Sequence, residues 1–143
     1  MLFATGTGIL SVIHSGLELP VTFAAETEID AWMESKLKGV HVKADRITLD
    51  IPEVAENGSS VQFTVTVDSP MTEQDYVKEV HVFAEGNATP YVASYYFTPY
   101  SGKAQVTARL RLAKKQYVRV LATMSNGSSY MTRKEVTVAI GGC

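Results

Sequence analysis

Cysteine and histidine are scarce in this sequence, which has one cysteine, Cys143, and only three histidines. A single cysteine excludes an intramolecular disulfide. The histidines His14, His41 and His81 are far apart and match neither a CxxC nor an HExxH spacing, so a zinc site of these kinds is excluded as well. We expect neither a metal nor a cofactor in this protein.

Catalytic motifs are also missing, since no GxSxG, P-loop or GxGxxG pattern occurs. His81 lies in a strand-like stretch beside Val80 and Val82, and we interpret it as a strand residue rather than a catalytic base. The net charge is −2 and no stripe of Lys and Arg alternates with aromatic residues, so nucleic acid is not an expected partner. The sequence predicts a protein that is not an enzyme.

Charged residues are nearly absent from the first 25 positions, where only Glu18 is charged. The apolar stretch from Leu2 to Ile13 is shorter than the ~20 residues that a membrane-spanning helix needs, so no membrane anchor is expected. The end of "VTFAA" resembles a cleavage site, although the basic start of an export signal is missing. We assign residues 1–25 to an incomplete export signal, with a short buried helix or strand as the alternative.

The rest of the chain changes from a helical pattern to a strand pattern. Residues 26–39 place apolar side chains at helical spacing from Ile29 to Leu37 and end on Lys38 and Gly39, as helices do. Beyond residue 45 the apolar period becomes two. Strands are predicted at 46–51, 61–68, 76–85, 91–97, 103–113, 116–124 and 135–140, separated by turns rich in Gly, Pro, Asn, Asp and Ser.

These elements predict one all-β domain over residues 26–140. Its expected fold is an immunoglobulin-like antiparallel β-sandwich of about seven strands, with the short N-terminal helix packed at one edge. An open barrel is the alternative architecture.

Charge is distributed unevenly along the whole chain. Residues 1–85 carry five Lys or Arg and fourteen Asp or Glu, whereas residues 86–143 carry eight Lys or Arg and one acid, Glu135. One interpretation is a positive field around the C-terminal strands that favours an anionic ligand or an acidic partner. The interpretation that we prefer is that strands of both halves alternate in a sheet and their charges cancel.

Three Asn-X-Ser/Thr sequences, at Asn57, Asn87 and Asn126, fall on predicted turns. They fit the glycosylation acceptors of a secreted domain. However, two of them are Asn-Gly pairs, which are also preferred in hairpin turns. We favour the turn interpretation.

The stretch "YVASYYFTPY" is rich in aromatic residues. In a strand, Tyr95 and Phe97 face one side and Tyr96 faces the other, so both faces carry a large aromatic area. One face belongs to the core, and the other is either exposed to solvent or part of a subunit interface. The candidate interface residues are Tyr91, Tyr95, Tyr96 and Tyr100.

The sequence ends "VTVAIGGC", which places its one thiol behind two glycines. Structural cysteines are buried among apolar residues, whereas a thiol in this position is expected to be exposed, mobile and accessible to other proteins. Residues 141–143 are therefore predicted to be a flexible tail, in which Gly141 and Gly142 form the arm and Cys143 is the reactive residue. The alternatives are a fortuitous thiol and an intermolecular disulfide that joins two copies.

Several stretches resemble the SoxY family, the sulfur carriers of the periplasmic thiosulfate-oxidising Sox system. They are "SPMTEQDYVK", "FAEGN", "SGKA" and the glycine-flanked cysteine of "VTVAIGGC", and the resemblance covers roughly residues 26–143. The family fold is an immunoglobulin-like sandwich, which agrees with the strand pattern. The resemblance implies an exported, periplasmic protein.

The resemblance also implies a function and partners. It implies a heterodimer with SoxZ and covalent attachment of sulfur intermediates at Cys143, while partner enzymes act on them in turn. SoxXA would join thiosulfate oxidatively to the thiol, SoxB would release sulfate and leave a persulfide, and SoxCD, where present, would oxidise the remaining sulfur. The alternative function is an immunoglobulin-like periplasmic interaction module whose terminal thiol forms an intermolecular disulfide.

Two features depart from the family pattern. SoxY tails typically continue as "GGCGG", and the family carries a twin-arginine export signal. Because neither is present in this sequence, we expect the natural chain to extend further at both ends.

Overall fold

One α-helix is followed by nine β-strands in the part of the chain that our computed structural model describes, which is the backbone of residues 21–142 and the side chains of residues 28–142. The helix is α1 (Val21–Leu37). The strands are β1 (Val42–Lys43), β2 (Ile47–Asp50), β3 (Val54–Asn57), β4 (Val61–Val67), β5 (Val77–Ala84), β6 (Tyr91–Tyr96), β7 (Gln105–Leu110), β8 (Gln116–Met124) and β9 (Ser129–Ile140). Most of the predicted export signal and Cys143 lie outside the described residues.

Two sheets enclose the core as a sandwich. The six-stranded sheet has the order β1-β9-β8-β5-β6, and β3 also pairs with β9. The three-stranded sheet has the order β2-β4-β7. The pairings of β1 and β3 with β9 are parallel and the other strand pairings are antiparallel. The predicted all-β, immunoglobulin-like sandwich is confirmed.

The core between the sheets follows the period of two. In β4 the side chains of Val61, Phe63, Val65 and Val67 are all buried, whereas Gln62 is exposed. Burying each such side chain contributes about 1.5–3 kcal/mol relative to leaving it exposed. The inward residues of the larger sheet that pack against this row include Val80, Val82, Val118, Val120 and Ala122.

The helix α1 forms a third layer on the outer face of the larger sheet. Ile29 and Met33 of the helix pack against Phe83 of β5 and Leu121 of β8, and all four are buried. Trp32 lies at the margin of this cluster. Because α1 covers this face, β5 and β8 are buried on both sides. Within residues 21–142 no helix is long and apolar enough to cross a membrane.

The structure differs from the sequence prediction in three ways. The helix begins at Val21, within the predicted export signal, and packs on a sheet face rather than at an edge. The short strands β1 and β3 were not predicted, because a stretch of two to four residues carries too little alternation to be recognised. The last strand begins at Ser129 rather than at residue 135, because pairing with β8 extends it.

Candidate functional site

The base of the C-terminal tail is fixed by the last strand. The chain leaves β9 at Ile140 and continues through Gly141 and Gly142 to Cys143. Asn57 of β3 lies opposite Ile140 in the parallel ladder, and the amide of Gly58 donates to the carbonyl of Ile140 at 2.7 Å. The ladder between β3 and β9 therefore continues to the point where the tail begins.

The two glycines of the tail, predicted to be a flexible arm, pack against backbone in the structure. Gly142 is buried, and its amide donates to the carbonyl of Leu112 at 2.9 Å. A Cβ atom on Gly141 would overlap the carbonyl oxygen of Ala113, and one on Gly142 would overlap the backbone of Gly58. Close approach of two backbones requires glycine because every other residue adds a Cβ atom. In this structure the arm is docked rather than free.

A third glycine, Gly58, provides the surface on which the tail lies. Its amide bonds to β9, and its carbonyl accepts a hydrogen bond from the amide of Leu112 at 2.7 Å. A Cβ atom on Gly58 would overlap the carbonyl oxygen of Leu112 and would stand 2.9 Å from the amide nitrogen of Gly142. We call the backbone of Gly58, Ser59, Leu112 and Ala113 the tail dock.

Asn87 supports one side of the tail dock. Its Nδ2 donates to the carbonyl of Arg111 at 2.7 Å, and its Oδ1 accepts from the amide of Ala113 at 3.0 Å. The same oxygen accepts from Nε2 of Gln116 at 2.9 Å. The amide of the Asn87 side chain is thus used within the fold, and it positions the segment against which Gly141 packs. The sequence showed Asn87 only as a turn residue, because its partners are 24 to 29 positions away.

The other two Asn-X-Ser sequences confirm the turn interpretation. Oδ1 of Asn57 accepts from the amide of Ser59 at 3.0 Å, and Oδ1 of Asn126 accepts from the amide of Ser128 at 2.9 Å. Such bonds to the backbone two residues ahead stabilise turns.

Three basic residues adjoin the Leu112–Ala113 part of the tail dock in the chain. Arg111, Lys114 and Lys115 are exposed and lie within two residues of Leu112 or Ala113 in the chain. Lys115 pairs with Glu135 at 3.4 Å, and both side chains are largely exposed, so the pair is weak. These residues are candidates for attracting an anionic ligand to the tail.

His81 is a packed strand residue, as expected, and it is 1% exposed. Its Nδ1 lies 2.7 Å from Oγ of Ser94, and its Nε2 lies 3.0 Å from Oε2 of Glu79. Lys36 of α1 reaches the same carboxylate oxygen at 3.2 Å. The network joins the helix to β5 and β6. Its imidazole, carboxylate and ammonium groups therefore attach the helix to the sheet.

Burial controls the titration of this network. It lowers the pKa of His81 below its ordinary value of 6.5, although the hydrogen bond and charge of Glu79 oppose the effect. Burial alone would raise the pKa of Glu79, but the hydrogen bonds and charges of Lys36 and His81 lower it overall. At neutral pH the network therefore contains a neutral imidazole and an ionised carboxylate.

The four predicted interface tyrosines do not share one face. Tyr96 and Tyr100 are 72% and 92% exposed. Tyr91 is 40% exposed, and its ring packs against that of Trp32. Tyr95 instead packs against the core between the sheets. Since β6 is an edge strand of the larger sheet, the exposed tyrosines stand at a sheet margin.

No group of three or more His, Cys, Asp or Glu side chains suited to a metal ion occurs among the residues that the structure describes. The chemistry of the candidate site rests on the tail, its dock and the basic residues beside them.

The family comparison identifies a match to "Sulfur oxidation protein SoxY" over residues 34–143. Among solved structures, the sulfur carrier protein SoxY from Chlorobium limicola f thiosulfatophilum is 27% identical with a TM-score of 0.67, covering 82% of this chain and 97% of that chain. No protein with curated function matches the sequence.

Superoxide reductases share the fold at lower identity. The Ignicoccus hospitalis enzyme is 18% identical with a TM-score of 0.59, covering 73% of this chain and 91% of that chain. The putative enzyme from Thermotoga maritima is 21% identical with a TM-score of 0.56, covering 71% of this chain and 89% of that chain. These likenesses concern the sandwich alone.

Proposed function

The chain belongs to the SoxY family of sulfur oxidation proteins, as the match over residues 34–143 shows, and we propose that it carries sulfur covalently on Cys143. The observation that supports this proposal is that the family match extends through the glycine pair to the one thiol in the sequence. The thiolate of cysteine is a nucleophile that forms and breaks bonds to sulfur reversibly.

The proposed cycle begins with thiosulfate. Oxidative coupling joins the Cys143 sulfur to the outer sulfur of thiosulfate, giving a cysteine S-thiosulfonate, one proton and two electrons that the haem protein SoxXA accepts. Hydrolysis by SoxB then breaks the bond to the sulfonate group. Water supplies the fourth oxygen of sulfate, two protons are released, and a deprotonated persulfide remains on Cys143. Where SoxCD is present, it takes six electrons from the outer persulfide sulfur while three waters supply the oxygens of a sulfonate. Hydrolysis by a fourth water then releases this sulfur as sulfate and restores the thiol.

This division of labour makes the chain a carrier and a substrate, not an enzyme. Attachment converts a small dianion into a cargo that partner enzymes recognise through a tail and a domain surface. Tethering also presents the sulfur at high effective concentration. Positive charge from Arg111, Lys114 and Lys115 beside the tail supports an anionic cargo.

We further propose that the chain acts in the periplasm as a heterodimer with SoxZ. The exposed side chains of Tyr96 and Tyr100 at the margin of the larger sheet are candidates for contact with this partner. Tyr91 contributes through its exposed part, whereas Tyr95 is occupied by the core.

Intact-mass analysis of the protein from thiosulfate-grown cells tests the carrier function. We expect reductant-labile thiosulfonate and persulfide adducts on the native chain and none on Cys143→Ser. A Cys143→Ser strain that oxidises thiosulfate at the native rate, with an unmodified native thiol, contradicts the proposal. A disulfide-linked homodimer without adducts favours the interaction module instead.

A further inference from the structure

Backbone groups of the domain hold the last described residues of the chain. Gly142 donates to the carbonyl of Leu112, and Gly58 donates to the carbonyl of Ile140. Gly141 lies so close to the carbonyl of Ala113 that a Cβ atom would overlap it. The tail is therefore in contact with the domain up to the residue before Cys143.

A flexible arm and a docked arm make different demands on positions 141 and 142. Flexible linkers are built from serine as well as glycine. Contact with the backbone of Gly58 and Ala113, in contrast, leaves no room for any Cβ atom. Glycine on both sides of the contact, at 58 as well as at 141 and 142, is what docking requires and flexibility does not.

We infer that the tail dock is a binding site for the chain's own tail, which restrains Cys143 until a partner enzyme releases it. The inference deepens the proposed function and rests on it for the role of the partner enzymes. The docked tail is the resting state in this inference, and a partner enzyme must separate residues 141 and 142 from the dock before it can draw the tail into its own site. Release requires the loss of one hydrogen bond from Gly142 and of the contacts of two glycines. Since one such bond contributes little net stability, a binding enzyme can separate the tail from the dock.

This resting state accounts for the position of Asn87. The side chain makes three hydrogen bonds with two atoms: Nδ2 donates to the carbonyl of Arg111, and Oδ1 accepts from the amide of Ala113 and from Nε2 of Gln116. A docking surface must be preorganised to bind a short, weakly held peptide, and these bonds preorganise the Arg111–Ala113 segment.

Two variants of the full chain test the tail dock from opposite sides. Gly58→Ala adds a methyl group to the dock, and Gly142→Ala adds one to the tail. In each, we expect the amide of residue 142 to exchange with deuterium roughly tenfold faster, a change of about 1.4 kcal/mol. We also expect the ratio of alkylation rates of Cys143 by polyethylene-glycol maleimide and by N-ethylmaleimide to rise several-fold. The small reagent corrects for any change in thiol reactivity.

Gly127→Ala is the matched control. Gly127 has a φ of +88°, so alanine strains its turn, yet a Cβ atom there meets nothing within 4 Å. We expect this variant to lose stability without changing either readout. Should Gly58→Ala fail to fold, Gly142→Ala decides the question, because it lies beyond the last strand.

The inference is overturned if the amide of Gly142 exchanges in the native chain as fast as in an unfolded peptide, or if neither folded variant raises the alkylation ratio. Neither measurement uses a sulfur substrate, so the dock is tested independently of the carrier function. Adducts on a protein with an unprotected Gly142 amide would refute the dock and leave the carrier function intact.

Discussion

Arg119 and Glu85 form a buried ion pair beneath α1, in which Nε of the guanidinium donates to Oε1 of the carboxylate at 2.6 Å. The same guanidinium reaches Asp30 of the helix at 2.9 Å. Burial would lower the pKa of Arg119, but bonds and charges from Asp30 and Glu85 raise it overall. These ion pairs thus link α1 to β5 and β8. They lie within a helix–sheet contact that is otherwise apolar.

Replacing Arg119 by methionine is expected to destabilise the protein by about 3–5 kcal/mol. The buried Glu85 carboxylate would lose its hydrogen-bonded partner and keep only the 3.9 Å contact with the half-exposed Arg133. Urea unfolding measures the loss. The matched control is Lys115→Met, which breaks the exposed pair with Glu135 and should cost no more than about 1 kcal/mol. Adding Glu85→Leu to Arg119→Met should recover much of the stability. Equal losses for the two single variants would contradict this account.

The His81 network predicts a loss of stability in acid. The pKa of His81 is lowered in the folded protein, so below pH 6.5 the unfolded chain binds a proton that the folded chain does not. Stability is therefore highest above this pH and falls as the pH decreases through 6.5 toward the folded pKa. The lowered pKa of Glu79 acts in the same direction at lower pH, as the pH falls through 4.5 and below.

His81→Phe separates the contribution of His81 to the pH dependence from that of Glu79. Phenylalanine fills the space beside Trp32 but does not titrate. Free energies of unfolding measured at intervals between pH 8 and pH 4 should show a smaller slope near and below pH 6.5 in the variant than in the native chain. Identical slopes would show that His81 does not control the pH dependence.

The exposed tyrosines predict a contact with SoxZ. Tyr96→Ala and Tyr100→Ala should each weaken binding by about 2 kcal/mol if the residues are at the centre of the interface. Because both side chains are exposed in the free chain, their removal should change unfolding stability by no more than about 0.5 kcal/mol. Calorimetry with purified SoxZ measures the affinity.

Val54→Ala is the control for this prediction. Val54 is 60% exposed and lies on β3, at the opposite margin of the larger sheet. Equal effects of Val54→Ala and Tyr96→Ala on affinity would place the interface elsewhere.

The basic residues beside the tail dock predict an electrostatic contribution to loading. In a purified system with SoxXA, the double variant Arg111→Gln, Lys115→Gln should lower kcat/KM for thiosulfate several-fold, and the difference should shrink at high salt. Lys103→Gln provides a control that removes one positive charge far from the tail, since Lys103 precedes β7 and lies roughly 20 Å from Arg111 at its other end. A loss that is independent of salt, or shared by Lys103→Gln, would argue against this role.

Local patterns in the sequence were sufficient for the sandwich. Alternation in Val61–Val67 and in the other long strands reveals which side chains face the core, since successive side chains of a strand point to opposite faces of the sheet. Helical spacing identified Ile29, Trp32, Met33 and Leu37 as the packing face of the helix. The cysteine of the tail and its glycines were likewise visible in the sequence, together with the resemblance that gave them a role.

Only the tertiary structure shows which residues contact the tail. Gly58 and Leu112 are 54 positions apart and Gly142 lies 30 positions beyond Leu112, and their contacts depend on strand pairing that no local pattern specifies. For the same reason the sequence suggested a free arm. Glycine permits both a mobile backbone and a close backbone contact, and only the neighbours supplied by the fold distinguish these two uses.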